Sequence, residues 1–195
     1  MLDVFERLLV TMNLREVSVA DVCREAEIPR TSFYRRYTNL DALKEALFDQ
    51  CVTELLVAGG PWLEGKSKRL APSLEAFYFA FMDHATFWYR VYYEAQRDAP
   101  ELRLKYDQMM RDWDSAVTAR VQESYPWIDA PVEVAQLINA MNEKLLFRAI
   151  GSGEALRGEA LQELFELAYR GYCSFLQVEM WTEKPLGSPT LETVE

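Results

Sequence analysis

The chain has 195 residues, half of them apolar and about a quarter charged, with 31 acids against 21 bases for a net charge of −10. That length and composition fit a soluble globular protein, either one large domain or a small domain joined to a larger one. The acidic balance excludes a protein that coats nucleic acid or anionic membrane over its whole surface, but not a locally basic contact site. The longest apolar runs, such as AFYFAFM, fall far short of the roughly 20 residues a bilayer span needs. The N-terminus MLDVFERLL carries acids where a signal peptide has a basic segment, so the expected location is the cytoplasm. Cys23, Cys51 and Cys173 are widely spaced and form no CxxC, which fits reduced thiols packed in a core rather than disulfides or a zinc site.

Leu2, Phe5, Leu8, Leu9 and Met12 recur every three or four residues and predict an amphipathic helix over 2–13. Ser18, with Asp21 three residues on, is an Asp variant of the capping box. The helix it opens buries Val19, Val22, Cys23 and Ala26. After Glu27 and Ile28, Pro29 supplies the fixed φ that suits a helix start, and residues 30–37 read as a short second helix. Asn39, with Asp41 behind it, caps a fourth helix with Leu40, Leu43, Leu47 and Cys51 on one side.

The segment AGGPWLEGKSKRLAP, residues 58–72, is rich in Gly, Pro and Lys and reads as a break or flexible connection. Residues 73–96 are strongly aromatic, with Phe77, Phe81, Trp88 and Tyr92 at near-helical spacing. Residues 101–124 follow with Leu102, Tyr106, Met109, Met110, Trp113 and Val117. SYPWIDAP is a loop. Two further amphipathic helices are expected over 132–150 and 159–182, separated by GSGEALRG. There is no β alternation, Gly-rich phosphate loop or internal repeat. The fold class is therefore all-α, with a helical bundle at 1–57, a connecting segment at 58–72, a larger helical domain at 73–183 and a tail at 184–195.

One stretch stands against the overall charge. IPRTSFYRRY, residues 28–37, holds Arg30, Arg35 and Arg36 and no acid, interleaved with Phe33, Tyr34 and Tyr37. On charge alone, three arginines on a short helix could be a solvated face. The layout argues otherwise. A helix of SVADVCREA, a short turn and a helix of PRTSFYRRY are arranged as a helix-turn-helix, whose second helix enters the DNA major groove.

The run VSVADVCREAEIPRTSFYRRYTNLDALKEAL resembles the TetR family of transcriptional regulators. The family pattern has a T/S-capped helix, an A-G-V-S turn, T-F-Y-x-H-F and an S-K-E-x-L helix start. The likeness covers residues 2–55, with SFY and DAL in register. It implies that Arg30 and Ser32 reach base edges or adjacent phosphates, Arg being suited to a bidentate contact with guanine. Tyr34 matches the family's phosphate-binding tyrosine, and Arg36 stands where a His usually touches the DNA backbone. Ser18 sits where the family sets a hydroxyl and a helix N-terminus against phosphate. Phe33 and Tyr37 fall on apolar positions and are expected beneath the helix.

The sequence departs from that pattern at three positions. Glu27 replaces the turn Gly, where φ is often positive. Thr31, on the DNA-reading face, replaces a Gly that permits close approach to the duplex. Leu40 replaces a Lys that pairs a phosphate, a role Arg35 and Arg36 partly take over. Residues 1–55 hold ten acids against seven bases, so DNA binding is expected to be modest and salt-sensitive.

In the family the C-terminal helices form a ligand-responsive domain, and the last two pair with a second copy. The resemblance therefore implies a homodimer through Leu137, Met141, Leu145, Leu161, Leu164, Phe165, Ala168, Tyr172 and Phe175. Two recognition helices then address half-sites of a double-stranded pseudo-palindromic operator. Among the central helices, His84, Trp88, Tyr92, Tyr93, Met109, Met110 and Trp113 are candidates to line a pocket for a small-molecule effector, although such stripes are also what a plain core carries. Some members of the family answer to a partner protein in place of a small molecule, an alternative this sequence leaves open. His84, the single His, lies beside Asp83 and reads as a hydrogen-bonding residue rather than a catalyst.

With no nucleophile–base constellation, metal-ligand cluster or cofactor loop, no enzyme, cofactor or metal is expected. The leading reading is a ligand-responsive repressor. The alternative is a helical interaction module or co-regulator of the same fold with weak or lost DNA binding.

Overall fold

The computed structural model describes residues 1–67, 70–124, 126 and 129–152. The helices of the described chain are α1 (Leu2–Leu9), α2 (Val19–Glu25), α3 (Arg30–Tyr34), α4 (Leu40–Leu63), α5 (Leu70–Asp83), α6 (Ala85–Asp98), α7 (Pro100–Ser124) and α8 (Pro131–Ser152). The described residues contain no strand, so the all-α expectation holds for them. The expected helix over 159–182 and the tail at 184–195 lie outside the described residues.

The N-terminal helices start where their caps predict. Ser18 Oγ accepts from the Asp21 N–H while the Asp21 carboxylate accepts from the Ser18 N–H at 2.9 Å, the reciprocal pair of a capping box. Asn39 Oδ1 accepts from the Ala42 N–H at 2.8 Å and opens α4. Pro29 differs slightly from expectation: it is the extended N-cap of α3 (φ −69°, ψ 152°) rather than its first helical residue. Helix α3 is also shorter than 30–37, although Tyr37 still donates its N–H to the Phe33 carbonyl.

The turn between α2 and α3 explains Glu27. Its φ is +53°, in the left-handed region, and among the described residues it is the one non-glycine placed there. The Ile28 N–H bonds the Cys23 carbonyl and the Glu27 N–H bonds that of Arg24. These two bonds are the Schellman closure, in which the residue just past the helix favours glycine. A β-carbon there costs about 1 kcal/mol or more. Glu27→Gly is therefore expected to raise stability by about 0.5 kcal/mol, the relieved strain of about 1–2 kcal/mol less glycine's extra chain entropy of about 0.5–1 kcal/mol. A thermal melt checks this, and an unchanged or lower midpoint would show that the strain at Glu27 does not exceed glycine's entropy cost.

Three boundaries differ from expectation, each for a reason outside the local sequence. Helix α1 stops at Leu9 rather than near residue 13. Its last carbonyl is taken by Arg90 of α6, whose guanidinium donates to Leu9 O at 3.1 and 3.2 Å. Helix α4 continues through 58–63 despite Gly59, Gly60 and Pro61, so the first part of the expected connection is helix. Pro61 removes one intrahelical donor and crowds the carbonyl of Val57, and buried Trp62, with the Arg120 guanidinium over its ring, pins that last turn. The aromatic stretch 73–96 divides into α5 and α6 at His84, which no Gly or Pro announces. There the side chain is held by other helices.

The core is continuous from head to body. Phe5, Leu9, Val22, Phe33, Leu43 and Leu47 are buried in the same cluster as Phe48, Cys51, Phe87, Trp88, Val91 and Tyr106. Helix α4 contributes to both ends, and α1 packs on α6. Cys23 and Cys51 are buried free thiols, as their spacing predicts; Cys173 lies outside the described residues. No helix among the described residues is long and apolar enough to cross a membrane.

Candidate nucleic-acid interface and ligand cavity

The helix-turn-helix sorts its residues by exposure. Phe33 is fully buried and Tyr37 nearly so, their rings 5.8 Å apart beneath α3. Arg30, Thr31, Tyr34, Arg35 and Arg36 are exposed, Ser32 is half-buried, and Ser18 lies exposed at the start of α2. Tyr34, 54% exposed, sets its ring edge-on to Phe33 at 5.4 Å, which fixes the direction of the hydroxyl. The cations of the head divide too. Arg7 pairs with Glu25, Arg24 with Asp21 and Lys44 with Asp41. Arg30 and Arg35 have no carboxylate within ion-pair distance among the described residues, and Arg36 lies over the Tyr37 ring. Arg15, before α2, also has no ion pair among the described residues, so three of the four unpaired side-chain cations of this acidic head lie on and just after α3. Leu40 is the first residue of α4 and Lys44, nearly buried, is turned to Asp41, so neither offers a cation to the same face.

A cavity of about 510 Å³ lies between α4, α5, α7 and α8. Met109, Met110 and Trp113 of α7 line it. The other four pocket candidates lie elsewhere. Trp88 is fully buried in the core, stacked on Phe81 at 5.3 Å, because its large ring fills the space where α4, α5 and α7 meet α6. Tyr92 and Tyr93 border a smaller cleft of about 330 Å³ with Phe147 and Arg148, since the Tyr92 ring stacks on Phe147 at 4.0 Å. His84 is bound in an ion cluster.

Cavity residues that sequence reasoning missed come chiefly from α4, α5 and α8. On α8, Asn139, Asn142, Glu143, Leu146 and Phe147 follow the i, i+3, i+4, i+7, i+8 pattern of one face. That face differs from the stripe of Leu137, Met141 and Leu145 that the apolar spacing of α8 picks out. Of that stripe, Leu137 is exposed and Leu145 half-buried. The Met141 side chain and Leu161, Leu164, Phe165, Ala168, Tyr172 and Phe175 lie outside the described residues. Gly59 also matters: a β-carbon there would stand 2.8 Å from the Trp113 ring, so glycine is what lets this tryptophan lie against α4.

The cavity's polar lining includes Asp49, Lys105, Tyr106, Gln108, Asp112, Asn139, Asn142 and Glu143. Tyr106 donates to Glu143 at 2.5 Å, and burial together with that carboxylate pushes the phenol far above its ordinary range. Asn139 donates to Asp114 at 2.6 Å. Lys105 is held by Asp49 at 2.9 Å and Glu45 at 3.4 Å. Among the described residues no group of three or more His, Cys, Asp or Glu side chains is arranged to hold a metal ion.

Two polar clamps tie α6 to the head. His84, the N-cap of α6, meets Glu6 of α1 at 3.0 Å through Nδ1 and Glu54 of α4 at 2.8 Å through Nε2. A hydrogen bond to the Cys51 side chain and the Glu6 and Glu54 carboxylates raise its pKa to about 11, so the imidazole is doubly protonated and donates on both sides. Burial pushes the Cys51 thiol up. One turn and a half further along, Arg90 donates to Leu9 O and to Asn13 Oδ1 and pairs with Glu94, whose carboxylate accepts the Leu14 N–H at 3.0 Å.

No protein-family model matches the chain. It is 25% identical over 154 residues to the HTH-type transcriptional regulator EthR of Mycolicibacterium smegmatis, a match spanning 74% of this chain and 70% of that protein. Its fold is similar to that of PfmR, a TetR family transcriptional regulator from Thermus thermophilus, with a TM-score of 0.68 and 17% identity over 87% of this chain and 96% of the other. It is likewise similar to a regulator of the TerR/AcrR family from Aquifex aeolicus, with a TM-score of 0.71 and 14% identity over 89% and 96% of the two chains. This chain has the fold of the TetR-family transcriptional regulators, the family its helix-turn-helix resembles.

Proposed function

We propose that the chain is a DNA-binding transcriptional regulator that acts as a homodimer on a pseudo-palindromic operator and is released from it by a small-molecule effector. The observation that carries this reading is the free, exposed cationic face of α3, set on a buried Phe33–Tyr37 base in an otherwise acidic head. In this reading residues 1–57 read DNA, with Arg30, Thr31 and Ser32 at the base edges and Ser18, Tyr34, Arg35 and Arg36 on phosphates. Residues 58–72 begin as helix and connect to the effector and dimer domain at 73–183. Leu137 supports a partner contact on α8, being exposed on a face that does not line the cavity.

The cavity suits an effector because α4 is common to it and to the head. A ligand that wedges α4 from α7 also loads α6, and α6 grips α1 through His84 and Arg90. Ligand acts only through its differential affinity for two dimer geometries; about 2.7 kcal/mol of coupling weakens operator binding a hundredfold.

A mobility-shift titration with the DNA upstream of the protein's own gene tests the reading. The expected result is a shift at low salt that weakens steeply as salt rises, by counterion release. No shift at low salt would refute it and favour the interaction module, while a salt-independent shift would refute phosphate contact.

A further inference from the structure

The cavity's walls carry a charge problem that its own side chains leave unsolved. Three carboxylates line it, Asp49, Asp112 and Glu143, against the single ammonium of Lys105. Lys105 is already shared between Asp49 and Glu45. Asp112 accepts from Gln108 at 2.7 Å. Glu143 has one hydrogen bond, from Tyr106, and no cation within ion-pair distance among the described residues. Tyr106 holds its proton firmly and cannot cancel that charge. The same cavity is lined by aromatic rings: Phe77 and Trp113 with centroids 4.9 Å apart, and Phe81 edge-on to Phe147 at 5.5 Å.

We propose that this cavity takes an apolar organic cation, with the positive charge against Glu143 and the hydrophobic body among Phe77, Phe81, Trp113 and Phe147. The inference deepens the reading of the cavity as an effector site and rests on it. An anion would meet three carboxylates and an ammonium already occupied twice. A neutral apolar molecule would shut water away from Glu143 and leave its charge with one hydrogen bond, which is costly in an apolar surround. A cation supplies the missing counter-charge and is attracted by the ring faces as well.

The test uses three probes of like shape on the DNA-free protein: (biphenylmethyl)trimethylammonium, biphenylmethanol and biphenylacetate, followed by calorimetry and by quenching of tryptophan emission. The cation is expected to bind at least about tenfold tighter than the alcohol, a difference of roughly 1.4 kcal/mol, and the acetate not to bind measurably. Glu143→Gln keeps an acceptor for Tyr106, and is expected to lower cation affinity about tenfold while leaving the alcohol unchanged. The proposal is overturned if the cation fails to bind, if alcohol or acetate binds wild-type protein as tightly, or if the variant keeps the cation's advantage. A protein that shifts its operator yet fails here loses only this ligand class. One that binds the cation but shifts no DNA keeps the cavity assignment and loses the regulator reading.

Discussion

Arg30→Ala is expected to lower operator affinity by roughly 5- to 150-fold, the range of one bidentate base contact, while the melting temperature stays where it was. The effect is large because the head has so little charge to spare. Arg7, Arg24 and Lys44 are committed to carboxylates, which leaves Arg30, Arg35 and Arg36 as the cations on α3 and its end without an ion pair among the described residues. Exposed Arg30 contributes no buried contact, and surface substitutions of that kind change stability by about 0.5 kcal/mol or less. Arg35→Ala makes the informative contrast. As a phosphate contact it should weaken every DNA sequence alike and reduce the salt slope by about one, whereas Arg30→Ala should also relax the choice of base at one position. Competition titrations with operator and random duplex separate the two. Equal loss on both duplexes for Arg30→Ala would move that residue from base to backbone, and no loss on either would remove α3 from the interface.

How far this was legible in the sequence depends on whether the determining contact was local. Ser18, Asn39 and the buried pair Phe33 and Tyr37 act within a few residues of themselves, so cap and spacing placed them. Glu27 was legible as an anomaly, because a turn that needs positive φ ordinarily shows a glycine. The failures have one physical origin: side chains distant in sequence decide a boundary or an orientation. Arg90 ends α1 from α6, Trp62 with Arg120 carries α4 through Pro61, and His84 divides an aromatic stretch with nothing local to mark it. For the cavity, aromatic and methionine spacing identified α7 through Met109, Met110 and Trp113. It could not separate a lining ring from a core ring such as Trp88, because both are apolar at helical spacing and only tertiary packing tells them apart.

The residue read as a bland hydrogen-bonding histidine carries the largest expected stability effect. His84 places one buried positive charge between carboxylates from two other helices, with its side chain 11% exposed, Glu6 at 20% and Glu54 at 42%. His84→Gln removes that charge and leaves Glu6 and Glu54 facing one another. Breaking a buried pair in this way costs about 3–5 kcal/mol, and allowing for the exposure of Glu54 roughly 2–4 kcal/mol is expected. The pH dependence has a definite sign. A group with a folded pKa of about 11 against an ordinary 6.5 stabilises fully below 6.5 and loses that contribution as pH rises toward 11. Glu54, its pKa lowered by the His84 hydrogen bond, contributes above its ordinary 4.5 and loses that contribution as pH falls through its lowered folded value. Wild-type stability should therefore decline steadily from about pH 7 to pH 10, and the variant should lack that decline, because no imidazolium is left to deprotonate. Denaturant unfolding at a series of pH values measures both slopes. Because the same bonds join α6 to α1 and α4, the variant should also lose coupling, its operator affinity responding less to effector than the wild type's does. A variant as stable as wild type, or one that keeps the alkaline slope, would show that these helices are held by their apolar core and the Arg90 contacts without the His84 charge.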